Sequence, residues 1–195
     1  MVQLEEKDLI GAGVARWCYA HPTDPALCIK IRRRKRRGRK QQRRELETLK
    51  RLQARGADLT GISAFRGITR TTLGKGYLYD MIRDQDGEPS RSLRHYFETR
   101  PEWRPRLVDL LRELRDSLFQ ERVLFYDLHD GNIQCRIGPE DRIDLIVIDG
   151  VGDRARLPFL NCFPSVLEKK LRRNWDQSVV KMLRHHPWLA DFGEL

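Results

Sequence analysis

Apolar positions along this chain follow two periods, and the change from one to the other marks the elements. Residues 9–19 alternate apolar and small or polar residues around Gly11 and Gly13, which predicts strand, glycine turn, strand. His21, Pro22, Asp24 and Pro25 predict a turn, and residues 26–31 a third strand. From about Gln41 the period lengthens. Leu46, Leu49 and Leu52 recur every third residue, and Arg55-Gly56 supplies a basic last turn and a terminating glycine, which predicts a helix. Residues 62–68 and 77–82 predict two more strands, joined by a Gly74-Lys75-Gly76 turn.

A polar connector follows at 83–89. Leu93, Tyr96 and Phe97 predict a short helix, and Leu107, Leu110, Leu111, Leu114 and Leu118 one face of a longer helix opened by Pro101 and Pro105. Short strands are expected at 123–125, 133–136 and 143–148, with a turn at 138–142. Residues 164–183 predict an amphipathic helix with Val166, Leu167, Leu171, Trp175, Val179 and Met182 on its apolar face, and Trp188, Leu189 and Phe192 dock the C-terminal end. The expected fold class is α+β. A five-stranded antiparallel sheet with one helix occupies residues 1–87, and a small, mainly helical lobe occupies 88–195.

Composition narrows the function. A chain of 195 residues is one domain, or two small lobes sharing a cleft. The net charge of +10 favours an anionic partner: nucleotide, nucleic acid, a phospholipid surface or a lipopolysaccharide sugar. The charge is concentrated between Lys30 and Arg44, where 11 of 15 residues are Lys or Arg and none is acidic. Such a block repels itself and stays loop or frayed helix until a polyanion meets it. It lacks interleaved aromatics, so base stacking on single strands is not indicated. Cys18, Cys28, Cys135 and Cys162 form no CxxC pair, which excludes a zinc knuckle or a disulfide framework and fits a reducing cytoplasm. No basic start with an apolar core marks a signal peptide, and no apolar run reaches the roughly 20 residues that span a bilayer.

The stretch that carries chemistry is Tyr126-Asp127-Leu128-His129-Asp130-Gly131-Asn132, followed after the expected hairpin by Ile148-Asp149-Gly150. The hairpin sets Asn132 at the start of one strand and Asp149 at the end of its antiparallel partner, so the two can meet on one ion. An amide oxygen and a carboxylate suit magnesium, which takes few protein ligands and completes its shell with phosphate oxygens and water. A further carboxylate, Asp127, orients an attacking hydroxyl and accepts its proton. Phosphoryl transfer needs such a set. His129 is read as supporting the loop and Leu128 as core.

Asp-Leu-His-Asp-Gly-Asn resembles the catalytic loop of aminoglycoside- and choline-kinase-like enzymes, relatives of the protein kinases, and Ile-Asp-Gly resembles their magnesium motif. Residues 67–76 (GITRTTLGKG), 82–87 (IRDQDG) and 147–153 (VIDGVGD) are similar to a small family of Gram-negative bacteria, the PhoP regulatory network (YrbL-like) proteins; the similarity runs from about Leu9 to Met182. The resemblance implies a minimal bilobal protein-kinase-like fold and ATP and Mg2+ as cofactors. It implies that Gly11 and Gly13 cover the nucleotide, and that Lys30 reaches its phosphates with Glu45, or alternatively Glu47, as partner. Met81, Ile82 and Arg83 would meet the adenine edge at a hinge, Asp127 would be the catalytic base, and Asn132 and Asp149 the magnesium ligands. Two departures stand out: Arg16 replaces the third glycine of the protein-kinase hairpin, and Phe125 the histidine before its catalytic Asp. The leading expectation is a cytoplasmic phosphotransferase acting on an unidentified acceptor, linked through the family name to a PhoP-type stress response. The alternatives are a catalytically inactive kinase-like module that binds nucleotide or polyanion, and a nucleic-acid-binding protein built on residues 30–44.

Overall fold

The computed structural model describes residues 1–13, 16–33, 39–153 and 163–195, with backbone only at 39–41. The five-stranded sheet is antiparallel, with spatial order β1 (Leu9–Ala12), β2 (Arg16–Ala20), β3 (Leu27–Arg32), β5 (Gly74–Asp80), β4 (Phe65–Thr71). Alternation along the strands decides which residues face where. Cys18 lies opposite Lys30 and Ala20 opposite Cys28. Cys28 in turn lies opposite Tyr79, and Lys30 opposite Tyr77. This set, with Arg16, shares one face. The other face carries Tyr19, Ile29 and Ile31, which bury a separate small cluster with Leu4.

Helix α1 (Arg39–Ala54) buries Gln42, Glu45, Leu49 and Leu52. These recur at three- and four-residue spacing, the stripe of a helix lying on a sheet. Two of the four are polar, so the stripe is apolar only at its C-terminal end. Gly56 at φ +71° turns the chain out of the helix, as its position after the last periodic residue predicts.

The second half holds β6 (Arg91–Ser92), α2 (Leu93–Thr99), α3 (Arg104–Gln120), β7 (Ile133–Ile137), β8 (Ile143–Val147) and α4 (Pro164–His185), with a three-stranded sheet in the order β6-β7-β8. Ser92 caps α2 by accepting from the His95 amide. The main core gathers here around Leu107, Val108 and Leu111 of α3, Ile133 of β7, Leu171 and Trp175 of α4, and Leu189. It is continuous with Leu49, Leu52, Tyr77 and Tyr79 beneath the larger sheet. Main-chain bonds join the two parts directly: Ser63 N–H donates to Val147 O at 2.9 Å, and Val147 N–H to Gly61 O at 2.9 Å. Among the described residues no helix is long and apolar enough to cross a membrane.

Three expectations need correction. The hairpin between β4 and β5 turns at Thr72-Leu73, not at Gly74-Lys75-Gly76, since Thr71 pairs with Gly74. Thr71 Oγ1 closes it, donating to Gly74 O at 2.8 Å and accepting from the Leu73 amide at 3.2 Å. Gly76 lies inside β5, where packing requires a glycine: a Cβ there would stand 2.7 Å from Ile29 Cγ2 and 2.9 Å from Thr71 Cγ2. Residues 123–125 are buried as expected but form no strand, and only Phe125 bridges, to Val151. Val166 is exposed, because the apolar face of α4 turns toward Leu167, Leu171, Trp175 and Met182. Residues 34–38 of the basic block and 154–162 of the connector after Asp153 lie outside the described residues, as does the tip of the glycine hairpin.

The packing at Gly76 makes a prediction. Gly76→Ala should lower stability by about 1–3 kcal/mol by overpacking. Urea midpoints at an unchanged denaturant slope would show it, and an unchanged midpoint would mean that the strands separate to admit the methyl.

Candidate functional site

The β7–β8 hairpin does what the spacing of its ends requires. Ile133 pairs with Val147, and the Ile148 amide donates to Asn132 O at 2.9 Å, so Asn132 and Asp149 leave the same end of the hairpin. Asn132 Nδ2 donates to Asp127 O at 2.9 Å, which directs the amide oxygen away from the loop. Gly150 sits at φ +87°, and a Cβ on it would be 2.5 Å from Asp127 O. The Tyr126 amide donates to Gly150 O at 2.8 Å and the Gly152 amide to Leu124 O at 2.7 Å. Asp127, Asn132 and Asp149 are thereby held in one small region by main-chain bonds.

Each carboxylate there has a cation. Lys181 on α4 donates from Nζ to Asp127 Oδ1 at 2.8 Å. Arg16, at the start of β2, donates from Nη2 to Asp149 Oδ1 and pairs with Glu45 Oε2 at 3.0 Å. Its Nη1 donates to Gln42 Oε1 at 3.0 Å. The Asp149 contacts with Arg16 and with the Gly150 amide both fall on Oδ1. Burial opposes the charge of Arg16, but Glu45 and Asp149 outweigh it and raise its pKa further above the ordinary value.

Glu45 and Glu47 separate cleanly. Glu45 is buried, whereas Glu47 pairs with Arg43 along the outer face of α1. Glu45 nevertheless does not pair with Lys30, as the resemblance implies, because Arg16 holds it. The Lys30 ammonium is buried, donates to Ile148 O, and stands 4.3 Å from the centre of the Tyr79 ring. Tyr79 OH donates to Glu45 Oε1 at 3.0 Å and accepts from Gln42 Nε2 at 3.2 Å. Burial, then Glu45, push the Tyr79 phenol up, so it stays a donor. Lys30 therefore belongs to the interior, although its sequence position places it at the head of the basic run.

The remaining expected residues are spread along the sheet. Gly11 lies in β1 opposite Cys18, and the Gly13 amide donates to Arg16 O at 2.9 Å. At the hinge the Met81 amide is taken by Ala26 O and Ile82 O by the Ser90 amide, while the Arg83 guanidinium holds Pro25 O and Gly87 O. Two of the backbone groups expected to meet an adenine edge are thus used within the fold. Cys18 and Cys28 meet across the adjacent strands β2 and β3. The Cys18 thiol's hydrogen bond, with help from the Lys30 charge, lowers Cys28 to about 7, while Cys18 rises.

Further residues escaped the sequence reading. Asp130 is fully buried and takes both arms of Arg94 at 2.9 Å, and His186 Nε2 lies 2.7 Å from its Oδ2. His129 supports the loop as expected, accepting from the Gly131 amide through Nδ1. On α4, Lys170 pairs with Asp153, Asn174 donates to Phe125 O at 2.6 Å, and Lys181 holds Asp127. Positions 170, 174 and 181 fall within one narrow helical sector beside the apolar stripe, a spacing that was visible in the sequence.

A mixed α+β protein with a five-stranded antiparallel sheet therefore brings a cluster of oxygen donors and cations together where its two halves meet. The family of this chain follows from comparison. Residues 2–183 match the PhoP regulatory network protein YrbL family, and the chain belongs to it. An uncharacterized protein YrbL of Escherichia coli (strain K12) is 34% identical over 184 residues, covering 93% of this chain and 88% of that protein. Its counterpart in Shigella flexneri matches to the same extent.

The buried Asp130 makes a pH prediction. Burial opposes its charge, but the adjacent His129 and the bonds from Arg94 and His186 prevail and hold its pKa well below the carboxylate range. A folded pKa depressed below the unfolded value of about 3.9 gives stability that is present above that pH and lost as pH falls through the folded value. Asp130→Asn should thus cost about 3 kcal/mol at neutral pH. That gap should narrow below about pH 4, where the wild type begins to lose the ionised group's contribution. Urea midpoints of both proteins from neutral to acid pH would show it; a gap independent of pH would mean that Asp130 acts through shape alone.

Proposed function

We propose that this protein is an ATP- and magnesium-dependent phosphotransferase with a minimal, kinase-like, bilobal arrangement, acting on an acceptor hydroxyl. The observation that carries the reading is the convergence of Asp127, Asn132 and Asp149 around the Asp127–Gly150 contact, with Lys30 reaching in from the sheet. The donors fit magnesium: an amide oxygen and a carboxylate are hard ligands, and the site contributes no thiolate or imidazole. When bound, magnesium would neutralise the charge of the nucleotide phosphates. Asp127 accepts the proton of the acceptor hydroxyl as its oxygen attacks. Lys30 holds phosphate oxygens, and Asn132 fixes the loop through Asp127 O. The family name ties these proteins to a PhoP regulatory network, which supports an envelope or stress-response setting and an anionic acceptor suited to the basic block.

A second reading is nucleotide binding without turnover. It is favoured by the cations already on the working carboxylates, Lys181 on Asp127 and Arg16 on Asp149.

Magnesium-ATP at about 100 times its dissociation constant should raise the melting midpoint by about 5–10 °C. The shift should vanish in Asp149→Ala; an unshifted wild type would remove the nucleotide reading. Among shifting proteins, Asp127→Asn should keep the shift and lower phosphoryl transfer to water or acceptor by about 100-fold or more. Equal turnover in that variant would strip Asp127 of the base role, and none in the wild type would leave the binding module.

A further inference from the structure

Arg16 is an odd occupant of its position. The glycine hairpin of the resemblance carries no side chain there, yet here a guanidinium with 11% of its side chain exposed spans two carboxylates assigned to different tasks: Asp149 to metal and Glu45 to the phosphate lysine. Two positive ions on Asp149 at hydrogen-bond range repel each other, so Arg16 and magnesium compete for that carboxylate.

Release of Arg16 would strand Glu45, whose side chain is 3% exposed, and a buried carboxylate without a cation is strongly disfavoured. The second cation is adjacent. Lys30 lies over the face of Tyr79, the same ring whose hydroxyl donates to Glu45. Its ammonium now has a backbone carbonyl, that of Ile148, where a charge would serve it better. Tyr79 thus stands between a carboxylate held by one cation and a second cation ready to take it.

We propose that Arg16 is a displaceable resident of the magnesium position at Asp149, and that loading of magnesium-nucleotide exchanges Glu45 from Arg16 to Lys30. The arrangement described here is the closed member of that pair. It rests on the nucleotide reading above and adds to it that Arg16 sets the magnesium-nucleotide affinity. A residue that must leave reduces apparent affinity by the fraction of molecules in which it has left.

The test is calorimetric titration of the full chain with magnesium and a non-hydrolysable ATP analogue. Arg16→Gln should bind about tenfold more tightly than wild type, corresponding to about one open molecule in ten. Arg16→Lys, which keeps a cation, should gain much less, and adding Lys30→Met to Arg16→Gln should abolish the gain. Wild-type binding that Arg16→Gln leaves unchanged or weakens, with that variant folded by circular dichroism, overturns the exchange alone. Binding by neither protein overturns the nucleotide reading and this proposal together. Should Arg16→Gln not fold, the wild type still decides through the NMR signal of the Arg16 side-chain Nε–H. That signal should move on addition of the analogue with magnesium, and a stationary signal under saturating ligand overturns the exchange.

Discussion

A side chain at residue 150 would put a carbon 2.5 Å from the carbonyl oxygen of Asp127, closer than two such atoms come. Much of the site follows from that contact. It presses the loop that carries Asp127 against the segment leaving β8, and the main-chain bonds 126–150 and 152–124 fasten the two together. Asn132 adds a side-chain bond to the same Asp127 carbonyl. Asp127, Asn132 and Asp149 are therefore brought together largely by main-chain bonds.

The side chains that do hold the region are charged, and they come from elements distant in sequence. Asp130 meets Arg94 from α2 and His186 from beyond α4; Asp127 meets Lys181; Glu45 and Asp149 share Arg16. Buried ion pairs contribute little net stability, because desolvation consumes most of the Coulomb gain, but breaking one strands its partner. Their effect is selective. An arrangement that fails to bring these partners together leaves Glu45 or Asp130 buried alone. These ion pairs thus couple helix positions to the loop, and the apolar core supplies the bulk of the folding energy.

Local patterning made the sheet, the helices and the loop at 126–132 legible, because each expresses a short-range period or a turn residue. The hairpin joining 133–136 to 143–148 could be placed from its turn, and with it the approach of Asn132 to Asp149. Sequence failed where a residue's meaning depends on a distant one. Gly74-Lys75-Gly76 looks like a turn locally, but Gly76 answers to Ile29 across the sheet. Asp130 looks like a loop formation residue and is instead a buried anion. Lys30 sits at the head of a basic run and faces the interior, since strand alternation, not charge, decides its direction. The choice between Glu45 and Glu47 needed the helix phase relative to the sheet, which three leucines set only approximately.

Arg16 carries this argument furthest. As a departure from a glycine pattern it reads as a loss, one that weakens the case for a phosphate-covering hairpin. In the fold it is the hairpin's only reach across to Asp149 among the described residues, and it brings to that carboxylate the kind of charge a metal would bring. A guanidinium stays protonated at any physiological pH, so proton release cannot free it. It yields only to a competing cation or a better anion, and on the reading proposed above a nucleotide with its magnesium would offer both. A glycine in its place would remove the cation that Glu45 and Asp149 share, leaving Asp149 without its guanidinium and Glu45 dependent on the nearby Lys30. Arginine at that position thus lets two acidic groups persist side by side in a folded protein.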